Sequence, residues 1–342
     1  MTRELTVRPV NGLPELTAGD DLVGLLLATP LPLADGDVLA VSSKAVAKVE
    51  GRVVTAPRTA VMDNETDRLV ARHGALRVVR TRRGEVLAAA GVDESNTAPG
   101  TVVPLPLDPD GSARAIRTAL ADRIGRNVAV VVTDTAGRAW RVGQTDLAVG
   151  CAGLDPVRDL AGSLDAGGRA LVVTAPAVAD ALAGAAALVL AKAAGTPGAV
   201  LSGLADLVLP AGEHGPGAAA LVRPEAEDLF GLGSRDAVAA ATRRSDGDQR
   251  GFPSPATEPS TRLAELVELA GHGHPAVDMS VERSLVVVRP AGGRTSTDRD
   301  VLLAAGAVAE RLSALGWAEH VDVDPAGAPP SAVLSLTFNS RP

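Results

Sequence analysis

Aromatic side chains are nearly missing from this chain, which has no tyrosine, three phenylalanines and two tryptophans in 342 residues. Proteins that grip single-stranded nucleic acid stack its bases on exposed rings, and those that grip a phosphate backbone need a basic surface. A formal charge of −8 removes the second means as the scarcity of rings removes the first. Cys151 is the only cysteine, so there is neither a disulfide framework nor a thiolate metal site. Long apolar runs are missing too. The Ala-rich stretch Ala181–Ala194 is interrupted by Lys192 and is too short and too weakly apolar to span a bilayer. No signal peptide precedes the first strand, and the expectation is a soluble cytoplasmic protein.

Familiar nucleotide and hydrolase signatures are also lacking. No GxxxxGK[ST] segment is present to cradle phosphates, and no Asn-Lys-x-Asp to read guanine, so Asp134-Thr135-Ala136-Gly137 is not the second motif of a P-loop GTPase. GxSxG is absent, which argues against a nucleophile elbow. GxGxxG follows no expected strand, which removes the usual dinucleotide fingerprint.

What is present is ample apolar material, 46% of residues and mostly Ala, Val and Leu. That suffices for two domains, or for one large domain with an appendage. Leu5–Val10 alternates as a strand does. Asp20-Asp21 can cap a short helix through Thr29, and Val38–Ser43 reads as a strand. Ala60–Gly74 looks helical, and Leu76–Thr81 is a strand with a basic edge. Leu107–Ser112 opens a helix capped by Asp110 or Ser112 and ended by Gly125. Asn127–Thr133 is a continuous apolar run, the mark of a strand buried on both faces. Next come strand Arg169–Thr174, helix Pro176–Ala193, strand Ala199–Ser202 and helix Asp236–Arg243. Residues 244–260 have the composition of a linker. Beyond them, helix Thr261–Ala270, strand Ser284–Arg289, helix Asp298–Leu315 and strand Ala332–Phe338 make a small α+β module of unknown role. The expected boundaries are thus a domain over 1–245, a linker over 246–260 and a module over 261–342.

Two stretches carry chemistry. Gly84–Asn96 ends in Asp93-Glu94-Ser95-Asn96, and with Glu85 it offers oxygen donors with no His or Cys nearby, as a hard cation prefers. A plain polar turn accounts for DESN equally well. Asp134 and Thr135 end the second apolar strand, and the two acidic strand ends can converge on one metal–phosphate site. Lys44 and Lys48 stand four apart, which places both ammonium groups on one helical face. That suits phosphate, although spacing alone favours an ordinary solvated pair. The glycine-rich loop Gly212–Gly217 can wrap phosphates with its N–H groups. His272-Gly273-His274 reads as a surface turn rather than a chelate.

The run from Ser43-Lys44 to Lys48-Val49-Glu50-Gly51, AGVDESN, DPDGSA, TDTAGRAWRVGQTDLAVGCAGL and RPEAEDLF occur in this order. Together they resemble the coenzyme F420-0:L-glutamate ligase family, over roughly residues 5 to 245. The resemblance implies an α+β fold with mixed sheets and a GTP-dependent addition of L-glutamate, through its amine, to a carboxylate of F420-0. It implies that Leu13, Pro14, Glu15, Leu16, Ser43, Lys48 and Asn96 belong to the nucleotide site. Asp93, Asp134 and Thr135 would hold Mg²⁺ or Mn²⁺, with K⁺ as a further cation, and the loop Glu213–Ala220, with Gly215 and Gly217, would close over GTP. A cytoplasmic homodimer is implied as well. His214 and Pro216 depart from the expected loop pattern. The region after residue 245 lacks the basic FMN-phosphate cluster of the reductase domain found in bifunctional members.

The residues themselves suggest further roles. Lys48 can neutralise phosphate charge. Arg138 and Arg141 can grip the substrate's phosphate or the glutamate carboxylates, since a guanidinium fork fits both. Two other classes stay open: a different nucleotide-dependent amide ligase on this scaffold, and a non-catalytic GTP-binding partner protein.

Overall fold

A computed structural model describes residues 4–31, 33–73, 75–190, 195–224, 259–282, 284–318, 321–327 and 331–340. The chain forms two compact units, one of residues 1–65 with 81–224, the other of residues 66–80 with 225–342. Both mix helices with sheets, as an α+β fold should.

In the first unit the chain runs β1 (Thr6–Val10), α1 (Leu22–Ala28), β2 (Val38–Ser42), α2 (Ser43–Val49), β3 (Val54–Thr55) and α3 (Arg58–Glu65). The second unit takes up β4 (Thr66–His73) and most of β5 (Leu76–Thr81). The first then resumes with β6 (Val86–Ala88), β7 (Thr101–Val102), α4 (Pro109–Ile124), β8 (Ala129–Arg138), β9 (Arg141–Ala152), α5 (Val178–Ala187) and β10 (Gly198–Ser202). Its main sheet has the order β1-β10-β2-β8-β9. β2 and β8 run parallel, Val38 opposite Ala129 through Ser42 opposite Thr133; the other neighbours are antiparallel.

The core follows the two-residue period of a strand. Leu39, Val41, Val130 and Val132 pack with α1, α2 and α4 on one face. Val38, Ala40, Ala129 and Val131 pack with the alanines of α5 on the other. Both faces are covered, which is why these strands read as continuous apolar runs. The Asp21 carboxylate caps α1 by accepting the Gly24 N–H at 3.0 Å, and Gly125, at φ 64°, ends α4.

Several expectations need correction. The cap of α4 is Asp108, whose carboxylate accepts the Gly111 N–H at 2.9 Å, not Asp110 or Ser112. Asp110 is 6% exposed, and its oxygens take the N–H groups of Cys151, Ala218 and Ala219 at 2.8, 2.7 and 3.2 Å. The helix expected over 60–74 stops at Glu65, and Thr66–His73 is a strand beside β5. Strand pairing, with Arg80 bridged to Asp67 at 2.6 Å, outweighs local helix preference there. Residues 169–174 form no named strand; an isolated bridge of Ala170 to Leu164 and backbone bonds such as Leu171 N–H to the Ser163 carbonyl at 2.8 Å tie them to residues 160–165. β8 does not stop at Thr133 but runs on as a hairpin with β9. The helix expected at Asp236–Arg243 and the linker through residue 258 lie outside the described residues.

The second unit closes with α6 (Pro259–Gly271), β11 (Val277–Glu282), β12 (Leu285–Pro290), α7 (Arg299–Ala318), β13 (Val321–Pro325) and β14 (Leu334–Ser340), its sheet ordered β11-β12-β14-β13. Leu266, Val286, Val288, Val308, Leu312 and Leu315 form its core. His272 and His274 sit in the turn after α6, as expected. Among the described residues no helix is long and apolar enough to cross a membrane.

Asp110 gathers three backbone N–H groups from two distant segments. Asp110→Ala leaves all three without that acceptor; those of Cys151 and Ala218 are buried, and each buried unsatisfied group costs about 1–3 kcal/mol. Denaturant unfolding should show a loss of about 3 kcal/mol or more; a loss below about 1 kcal/mol would show that water replaces the carboxylate.

Candidate active site

β2 and β8 end side by side, and the chain must leave both strands at the same edge of the sheet. After β2 it turns at once into α2, with the Ser42 hydroxyl accepting the Ala45 N–H at 3.3 Å. Ser43, Lys44 and Lys48 are therefore presented just beyond the sheet. β8 carries Asp134 and Thr135 past the same edge. Between them lies a cavity of about 470 Å³, placed where parallel strands of an open sheet present their carboxyl ends.

The acidic tip closes the cavity from above. The Asp93 main chain bridges to Val103, its N–H donating at 3.0 Å and its carbonyl accepting at 2.8 Å. Its carboxylate accepts the Ser95 N–H at 2.8 Å and the Ser95 hydroxyl at 3.1 Å. The tip is thus an Asx turn and at the same time part of the cavity wall; the two readings of DESN are not exclusive. Asn96 adopts φ 52°, a conformation that asparagine tolerates better than most residues.

Both lysines are committed to this tip, which corrects the expectation of a solvated pair. Lys44 Nζ donates to the Ser95 carbonyl at 2.8 Å and to its hydroxyl at 2.7 Å, and it pairs with Asp93 at 2.6 Å. Lys48 is 7% exposed. It donates to the Asn96 carbonyl at 2.9 Å and pairs with Glu15. A buried ammonium needs such partners, because burial removes its water. Burial pushes the Asp93 carboxyl up, but the Lys44 ammonium, with the Ser95 N–H and hydroxyl, outweighs that and holds it below the usual carboxylate range.

The Ser43 hydroxyl donates to Asp134 at 2.8 Å. The Thr135 hydroxyl instead donates to Asp146 at 2.6 Å, and Thr133 reaches the other oxygen of Asp146 at 3.4 Å. Neighbouring residues of a strand point to opposite faces, so the side chains of Asp134 and Thr135 leave β8 on different sides. Asp146 is absent from the sequence-derived set although it lines the cavity. Pairing GQTD back onto TDT as one hairpin would have found it, since Asp146 stands opposite Thr135.

Of the expected nucleotide residues, Pro14, Glu15, Leu16, Ser43, Lys48 and Asn96 line the cavity, and Leu13 packs against the neighbouring core. Asp93, Asp134 and Thr135 line it too. Other expected residues are not part of its wall. Arg138 and Arg141 are exposed at the hairpin tip, where Arg138 donates to the Val142 carbonyl at 2.9 Å. Glu85 is bound to Thr81 and Arg83. Glu213, Gly215 and Gly217 belong to a loop with a structural job. The buried Arg117 holds the Glu213 carbonyl at 2.9 Å, Gly215 lies against the Leu154 carbonyl, and a Cβ on Gly217 would come within 2.5 Å of the Asp110 carboxylate.

Among the described residues no group of three or more His, Cys, Asp or Glu is placed to hold a metal. The acidic donors present are nonetheless all oxygen, which is what a hard cation prefers.

A family model described as F420-0:Gamma-glutamyl ligase matches residues 12–203. Similar curated proteins carry the name coenzyme F420:L-glutamate ligase. That of Methanothermobacter thermautotrophicus is 38% identical over 220 residues, 57% of this chain and 87% of the relative. That of Methanopyrus kandleri is 36% identical over 247 residues, 66% of this chain and 97% of the relative. That of Natronomonas pharaonis is 40% identical over 219 residues, 56% of this chain and 83% of the relative.

Asp93 has its carboxyl held low in the folded protein, so its pairing stabilises the fold above the unfolded value and loses that contribution as pH falls through the folded one. Lys44→Met should therefore lower the melting temperature near neutral pH, and the gap to the wild type should close as pH falls below about 4. The pair is partly exposed, so the effect at neutral pH should be about 1 kcal/mol or less. Melting curves from pH 7 to acid check this, and a gap that persists unchanged in acid would contradict the pairing.

Proposed function

The chain belongs to the F420-0:Gamma-glutamyl ligase family, and on that premise we propose that it joins L-glutamate to coenzyme F420-0 at the expense of GTP. One observation carries this reading beyond the family: Asp93, Asp134, Lys44 and Lys48 meet in one cavity at the carboxyl ends of two parallel strands. Carboxylates and ammonium groups gathered around one space suit a nucleoside triphosphate and its counter-cation.

Amide formation from a carboxylate in water is uphill, so the carboxylate must be activated. In the proposed reaction a carboxylate oxygen of F420-0 attacks the terminal phosphorus of GTP. A new O–P bond forms, the bridging P–O bond breaks, and GDP leaves with the electron pair. The glutamate amine then attacks the acyl carbon; the C–N bond forms, the C–O bond breaks, phosphate departs, and the nitrogen gives up one proton to solvent and keeps the other as the amide N–H.

Phosphoryl transfer asks little covalent chemistry of a protein and much positioning of charge. Lys48 is fixed by Glu15 and the Asn96 carbonyl, and supplies a positive charge of set position to the phosphates. Lys44 is held by Asp93 and Ser95, and can turn from them to an incoming phosphate. Ser43 orients the Asp134 carboxylate. Asp93 and Asp134 would hold Mg²⁺ or Mn²⁺, and two carboxylates suffice for such an ion when phosphate oxygens and water complete its shell. When bound, the cation would neutralise charge developing on the transferred phosphoryl group. Arg138 and Arg141 have no part in this scheme.

Mass spectrometry of F420-0 incubated with the protein, GTP, Mn²⁺ and glutamate should show the added mass of a glutamyl residue, and ATP should not replace GTP. Equal turnover with ATP would refute the nucleotide assignment alone; no added mass under any condition would refute the ligase reading. Asp134→Asn should stay folded and lose about 10²–10³-fold in turnover, the cost of one electrostatic group aimed at a transition state.

A further inference from the structure

The charges around the cavity are unevenly spread. Its described cations are Lys44 and Lys48, both on α2 and both tied to the acidic tip or to Glu15. The side walled by β9 is different. There Asp146 is half-buried, and its two oxygens take only the hydroxyls of Thr135 and Thr133. Among the described residues no lysine or arginine pairs with it, in contrast to Asp93 and Glu15. Nearby, Ala187, Leu190 and Pro197 contribute apolar wall.

A carboxylate that opens onto a cavity, steadied by hydroxyls and left without a counter-charge, selects a ligand that brings both positive charge and N–H donors. Its position narrows the choice. Asp146 stands opposite Thr135, one residue along β8 from Asp134; its carboxylate leaves the hairpin on the face of Thr135 rather than that of Asp134, and both carboxylates line the same cavity. The base of a nucleotide lies a ribose and a phosphate chain away from its terminal phosphoryl group, a longer reach than the single strand residue that separates Asp146 from Asp134 along the hairpin. An amino group that must attack beside that phosphoryl group belongs there.

Resting on the ligase reading above, we propose that Asp146, positioned by Thr133 and Thr135, is the subsite for the ammonium group of the amino-acid substrate. The cavity then has a phosphate side on α2 and the tip, and an amine side on β9. The amine is held close to the acyl carbon without meeting the lysines that would repel it.

The test uses the full chain and two nucleophiles. Glutamate depends on an ammonium subsite; hydroxylamine, small and uncharged near neutral pH, traps an acyl phosphate as the hydroxamate without one. Asp146→Asn keeps an oxygen to accept the Thr135 hydroxyl, so it should melt as the wild type does. We expect its KM for glutamate to rise about 10- to 100-fold, as loss of a charged hydrogen bond would give. Its GTP affinity and its rate of hydroxamate formation should stay within about twofold of wild type. An unchanged KM for glutamate would overturn the proposal. So would a parallel fall in hydroxamate formation and GTP affinity, which would place Asp146 on the nucleotide side. Wild-type protein that makes neither product sinks the ligase reading, and this proposal with it.

Discussion

Parallel pairing of β2 with β8 is the constraint from which the site follows. Two antiparallel strands would deliver their ends to opposite edges of the sheet, whereas these two deliver Ser42 and Thr133 to the same one. Each then leaves differently. β2 gives way to a helix that points two ammonium groups back over the edge, and β8 runs on and carries carboxylates through it. The buried interior that makes this pairing firm, with Val38 to Val41 and Ala129 to Val132 almost fully shielded from water, fixes the positions of Ser43 and Asp134 relative to each other.

Charge balance governs what stands on that edge. Lys48 is nearly buried, and an unpaired ammonium there would cost several kcal/mol. Glu15, from the segment before α1, and the Asn96 carbonyl, from the acidic tip, share the task of solvating it. Lys44 does the same for Asp93. Two loops far apart in sequence are thereby tied to one short helix, and the cavity wall is assembled by the ions that would also serve the chemistry.

Much of the first unit's framework was legible in the residues, because strands buried on both faces announce themselves as runs such as AVVV, and Asp21 and Gly125 mark helix ends. The failures share a cause. Thr66–His73 and the extension of β8 to Arg138 depend on a partner strand, and pairing is a property of distant residues that no local window contains. Val172 and Val173 show the reverse: they have the composition of a strand, no named strand forms, and they stand 79% and 88% exposed. At the site, acids and lysines could be named from the motifs. Their pairing could not, so spacing alone made Lys44 and Lys48 look like a solvated pair, and Asp146 went unseen. The Glu213–Ala220 loop shows another ambiguity: a glycine that wraps phosphate and one, such as Gly217, that admits a buried carboxylate look alike in sequence.

The scarcity of aromatic residues gives the hairpin between β8 and β9 an optical consequence. With no tyrosine, near-ultraviolet absorption rests on two tryptophans. One of them, Trp140, stands at the hairpin's turn with 92% of its surface exposed. An indole in water emits at longer wavelength and is open to quenchers; the same indole covered by another surface shifts to the blue and is shielded. The chain therefore carries a built-in fluorescent reporter at the tip of the same β-hairpin that holds Asp134 and Asp146 lower down. Replacing Trp317 would leave that reporter as the sole emitter, so that whatever covers the tip can be followed by light without attaching a dye.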